Sequence, residues 1–134
     1  MKKFALFFLS LLVIAATGFA EDLVLDNQTS YPMKDQKSKI AIQWASSNKE
    51  VEEGNHALLY GTQLNPASLQ VLTQSGKVTV SIPAKAEYFR VLTWSNGEGE
   101  PDSHTNWVDV VPNKTYTLTA EHLVPSVLMS GTGC

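Results

Sequence analysis

The chain is almost without cysteine. Its one cysteine, Cys134, is the last of 134 residues, so no disulfide can close within the chain and a packed core has to carry the stability. An odd cysteine on a Gly-Thr-Gly-Cys tail suits intermolecular pairing, which makes a Cys134-linked homodimer an expectation. Basic clusters are missing too: Lys and Arg number 10 against 13 Asp and Glu, and nowhere do they gather. Nucleic acid and anionic membrane surfaces both need clustered cations, so the sequence excludes them as partners. Histidine is scarce. His56, His104 and His122 lie far apart, none at a two-ligand spacing, so no zinc site is expected. Internal repeats and low-complexity stretches are also lacking, and no cofactor motif is visible.

What is present begins with a targeting pattern. Lys2 and Lys3 precede an apolar run from Phe4 to Ala16 that only Ser10 interrupts, and Gly18-Phe19-Ala20 then offers small residues before Glu21. That order is a secretory signal peptide over residues 1–20, removed by a Sec-type route, with the short proportions of a bacterial signal. The run is shorter than the ~20 residues that span a bilayer, so no integral membrane segment is expected after processing. No cysteine near the cut offers a lipid anchor. Residues 21–134 then form a single domain, exported to the periplasm or secreted. Without Lys2 and Lys3, eight basic residues face 13 acidic ones, a net charge near −5.

The exported part reads as strands. Leu23 to Thr29 places Leu23 and Leu25 on one face. Lys39 to Ser46 alternates cleanly, with Ile40, Ile42 and Trp44 inward and Lys39, Ala41 and Gln43 outward. Ser47 to Gly54 is a charged loop in which Ser47 caps at most one helical turn, stopped by Gly54. Ala57 to Tyr60 reads as a short strand. Residues 66–73 admit two readings: a short helix started by Asn65-Pro66, or a strand joined through Gln74-Ser75-Gly76 in a hairpin to Lys77–Ile82. Glu87 to Ser95 is apolar on both faces, the mark of a central strand covered on two sides. Asn106 to Val111 turns Val108 and Val110 inward and Trp107 outward. Pro112-Asn113-Lys114 forms a tight turn into Thr115–Ala120, and Val127–Met129 supplies a last edge. The glycosylation-like Asn27-Gln28-Thr29 and Asn113-Lys114-Thr115 are better explained by the turn chemistry of their asparagines.

Seven to nine short strands at intervals of roughly ten residues, with no long helix, predict an all-β fold, an Ig-like antiparallel β-sandwich. The disulfide and tryptophan framework of antibody domains is absent, so the expectation is architectural.

The loop from Asn96 to Asn106 is longer than a hairpin needs, and long loops on rigid sheets carry function. It offers Glu98, Glu100, Asp102, His104 and Asn106 between Trp94 and Trp107. Three chemistries use such residues. The oxygens of Glu98, Glu100, Asp102 and Asn106 suit calcium, although the EF-hand alternation is missing. The tryptophans can stack on a sugar while acids and amides bond its hydroxyls. Asp102-Ser103-His104 holds the residue types of an exported hydrolase, but side by side in one loop rather than on separate rigid segments. With no catalytic constellation legible, the sequence points to a non-enzymatic module that binds a protein partner through its end loops; a carbohydrate- or Ca-binding module is the alternative, a hydrolase the next.

Overall fold

The hydrophobic alternation produces two sheets that share one core. The computed structural model describes residues 21–34 and 37–125, in which nine strands and one α-helix are found. Residues 1–20, Val127–Met129 and Cys134 lie outside the described residues, so the signal, last-edge and disulfide expectations do too. The smaller sheet has the order β4 (Gly76–Ser81), β1 (Asp22–Asn27), β8 (Thr115–Leu118). The larger runs β3 (Leu69–Leu72), β2 (Lys39–Ala45), β5 (Tyr88–Trp94), β6 (Ser103–His104), β9 (Val124–Pro125), with β7 (Val108–Asp109) also paired to β5. Leu23, Leu25, Val80 and Leu118 from the first sheet pack against Ile40, Ile42, Trp44, Leu72, Phe89 and Val91 from the second. The alternation read in β1, β2, β4 and β8 therefore turned its apolar sets to this core, and the all-β reading stands at that level.

Pairing is not wholly antiparallel. β1 meets β4 antiparallel but β8 parallel, with Leu25 opposite Tyr116. β3 and β4 are not a hairpin: β3 pairs with β2 and β4 with β1, so the link through Gln74 and Ser75 crosses between sheets. Of the two alternatives for residues 66–73, the strand is found as β3, though not in a hairpin, and the helix is limited to a three-residue 3-10 turn at Pro66–Ser68. The turn at Pro112-Asn113-Lys114 is as expected: Asn113 takes φ 66° and the Lys114 amide bonds back to Val111 O at 3.3 Å. Above it, the Tyr116 hydroxyl donates to Asp109 O at 2.6 Å and accepts from the Val111 amide at 2.9 Å, pinning that corner to β8. Asn27 is buried and spent on its own turn, bonding the Thr29 amide and hydroxyl and the Tyr31 carbonyl.

The largest departure is α1 (Asn48–Tyr60), a helix of 13 residues where a loop and a short strand were expected. Ser47 does cap it, its hydroxyl accepting from the Glu50 amide, while the Glu50 carboxylate accepts from the Ser46 amide at 2.7 Å. That bond holds the Glu50 carboxyl below the usual value. The helix passes straight through Gly54 and ends at Gly61, which takes φ 67° and donates its amide to Ala57 O. α1 lies on the outer face of the larger sheet, where Leu58 packs with Ala41, Leu92 and Trp94. Ala41 and Gln43 are thus buried beneath a helix rather than facing out. The second cover expected for Glu87–Ser95 exists, but it is helical.

Asn106–Val111 is also a correction. Only Val108–Asp109 is strand; Val108 is exposed and Val110 packs against the core. Gly61→Ala is a modest test of the helix end. A Cβ there has to adopt the left-handed backbone and displace the Glu100 carboxylate. We expect a loss of about 1 kcal/mol in chemical denaturation; an unchanged midpoint would mean that the cap does not hold the helix end.

Candidate functional site

Two glycines shape the loop that follows β5. Gly97 and Gly99 both take φ 80°. A Cβ at Gly97 would overlap the Lys37 carbonyl, so the loop can lie against that strand lead-in only with glycine there. The chain folds back over the edge of Trp94, whose indole Nε1 donates to Gly99 O at 2.9 Å. Asp102 closes the neck. Its carboxylate accepts from the Ser95 amide, and its own amide donates to Thr93 O at 2.7 Å. β6 then continues the sheet, with His104 opposite Leu92.

This loop forms one wall of a cleft of about 530 Å³. The facing wall is the C-terminal end of α1 and the strap Gly61–Leu64, and Leu58, Leu64, Leu69 and Trp94 make the floor. Trp94 is only 3 % exposed, and Lys39 Nζ stands 4.2 Å from its ring centroid. Glu98 and Glu100 are exposed on the loop wall, the Glu100 carboxylate close to Gly61.

The candidate residues therefore divide. Trp94, Glu98 and Glu100 share the cleft. Asp102 is spent on holding the loop's neck. Asn106 is exposed at a different opening of about 320 Å³ between the two sheets, lined also by Phe89, Val108 and Leu118. His104 is 8 % exposed, its Nδ1 on Thr105 O at 3.1 Å and its Nε2 buried without a partner. Trp107 is half-buried, its Nε1 donating to Asn55 Oδ1 at 2.9 Å. Neither tryptophan offers a free ring: Trp94 is buried, and the Arg90 guanidinium lies 4.5 Å from the Trp107 centroid. Asp102 and His104 bond to Ser95 and Thr105 rather than to each other or to Ser103, so the three neighbours are not joined as orienter, base and nucleophile. Among the described residues no group of three or more His, Cys, Asp and Glu is placed to hold a metal ion.

The sequence places Arg90 on the Tyr88 face of its strand with its stem packed and its head toward solvent; the structure corrects this, burying the head in a polar cluster between α1 and the sheet. Arg90, the only arginine in the chain, is 1 % exposed. Its Nε donates to Gln43 Oε1 at 2.7 Å, Nη1 to Asn55 Oδ1 at 3.1 Å and Nη2 to Gly54 O at 3.0 Å. All three acceptors are neutral. Burial pushes its pKa down to about 10, which leaves it charged at neutral pH. A charge buried among dipoles and one aromatic face, without a carboxylate, clamps α1 to the sheet. Gly54 makes the approach possible: a Cβ there would lie 3.2 Å from Arg90 Nη2 and from Trp107 Cζ2. A comparison with family models and with curated proteins returns no match to this chain.

Proposed function

We propose that the chain is an exported, non-enzymatic binding module of the Ig-like sandwich type, and that it holds a segment of a protein partner in the cleft between the end of α1 and the loop after β5. The observation that carries this reading is the cleft itself: an apolar floor of Leu58, Leu64 and Leu69 beneath a rim carrying Lys39, Glu98 and Glu100. An apolar floor within a polar rim is the anatomy of a contact site for side chains. Four separate segments build it, so it belongs to the fold and not to one loop. The sandwich is supported by the shared core of the two sheets and by Tyr116, whose hydroxyl ties backbone a few residues upstream as tyrosine corners do in such sandwiches. Export to the periplasm or beyond rests on the order of residues 1–20. Calcium and sugar binding find less support, because Asp102 is spent on the loop's neck and neither tryptophan presents an open ring face.

Photo-crosslinking in the producing cell tests the reading. A crosslinker in place of Gln63 or Glu98, both exposed at the cleft, is expected to trap one discrete protein adduct. The same group in place of exposed Lys77 on β4 is expected to trap none. Adducts from Lys77 alone, or from no position, would overturn the assignment of the cleft.

A further inference from the structure

We infer that His104 makes the loop wall of this cleft sensitive to pH: when the imidazole takes a proton, β6 loosens from its neighbours and the Ser95–Thr105 segment opens. The inference names a regulation of the proposed binding cleft, but its geometry stands apart from what the cleft binds.

β6 is only two residues long, and its pairings are few: Leu92 with His104, Thr93 with Ser103, and beyond them Ser103 with Pro125 and His104 with Val124. The Asn96–Pro101 loop is tethered at its far end by this strand. His104 sits in the strand as a buried, neutral group. Its Nδ1 hydrogen donates to the Thr105 carbonyl, which leaves Nε2 as the unprotonated nitrogen, buried and, among the described residues, facing no partner. A second proton would go to Nε2, where no acceptor waits.

The surrounding charges work against that proton as well. On β5 the charged neighbour is Arg90, whose guanidinium repels an imidazolium. β9 brings only Val124 and Pro125. Asp102, two residues before His104, has its carboxylate on the Ser95 amide. On α1, Glu50 and Glu53 line a separate cleft over Gln43, and Arg90 meets Asn55 and Gly54 there. Burial, and after it Arg90, therefore hold the folded His104 below the usual histidine value, with the Thr105 bond opposing them. The sign follows. A released histidine binds protons at about pH 6.5 and the buried one only lower, so the closed form is at full strength above about pH 6.5 and weakens as the pH falls through it. Each pH unit of that window favours opening about tenfold.

Hydrogen exchange of the full exported chain, corrected for intrinsic rates, tests this at pH 7.5 and pH 5. In the wild type, amides of Ser95–Thr105 are expected to lose protection at the lower pH, while β1 and β4 amides keep theirs. His104→Leu and His104→Gln are both expected to keep the segment's protection constant across that range. Equal protection in the wild type at both pH values, or the same loss in both variants, would overturn the inference. Because the readout is exchange, failure of the cleft to bind a partner would leave this result unaffected.

Discussion

Arg90→Ala is expected to remove about 3–5 kcal/mol of stability, measured by urea unfolding followed by tryptophan fluorescence. Three losses add. The guanidinium's removal strips the donor from buried Gln43 Oε1 and takes away one of the bonds to Gly54 O and to Asn55 Oδ1, the last still held by Trp107 Nε1. The Trp107 ring loses the cation over its face. A side chain with one of the largest buried volumes in the molecule becomes a void. A domain of this size is stable by only about 5–15 kcal/mol, so the variant is left marginal. Arg90→Lys separates the contributions. An ammonium retains the charge but cannot reach three acceptors in different directions or stack as a plane, and about 2 kcal/mol of loss is expected from it. The site of damage is also specific. Amide protection should fall along Asn48–Tyr60 before it falls in β1 or β4, because Arg90 is what ties that helix down. A loss below about 1 kcal/mol for the alanine variant would show that the clamp contributes little beyond an ordinary surface contact.

The core between the sheets was legible because its cause is local. In β2 every second residue is large and apolar, and Phe89 and Val91 of β5 continue that face, so a period of two sets which side is buried in the core. β5 revealed even its second cover, through Tyr88, Leu92 and Trp94. What made that cover was hidden. Asn48–Tyr60 opens with the serine-to-glutamate spacing of a capping box, Ser47 to Glu50, and Val51, Ala57 and Leu58 follow on one face. The signal was present. Gly54 reads as a stop in the sequence because glycine is a poor helix former, whereas its role is to let the helix approach a guanidinium that belongs to a strand 36 residues later. Ala41 and Gln43 read as solvent-facing for the same reason: without the helix, nothing covers them.

The candidate loop Asn96–Asn106 divides on similar grounds. Its residue types were visible, but their directions were not. A loop that crosses from a cleft into a two-residue strand sends Glu98 and Glu100 to water, Asp102 to a backbone amide and His104 into the layer beneath. Lys39, Leu58, Leu64 and Leu69, which complete the cleft, come from β2, α1, the strap and β3. Sequence periodicity carries no term for such encounters, because pairings like Arg90 with Gln43 arise from topology and not from spacing.

Phe89→Ala tests the seam between the sheets. The ring is 3 % exposed, meets Tyr116 of the smaller sheet edge-on at 4.8 Å and tilts against Trp44 of its own sheet at 5.7 Å. Truncating a buried phenylalanine costs about 3–5 kcal/mol, most where the void stays sealed. Here one side of the ring already borders the opening between the sheets. Water can enter the space that truncation adds, so the low end applies, and about 3 kcal/mol is expected. Phe89→Leu keeps most of the volume and loses mainly the two aromatic contacts, for which about 1 kcal/mol is expected. Ile42→Ala is the comparison that decides between these effects. Ile42 is fully buried at the centre of β2 and borders none of the clefts described above, so its void closes without solvent and a side chain smaller than phenylalanine should cost nearly as much. Equal slopes in denaturant for the three variants would mean that both sheets still unfold together. If Phe89→Ala cost less than about 1 kcal/mol, the two sheets would not depend on one core, and the sandwich reading would lose its physical basis.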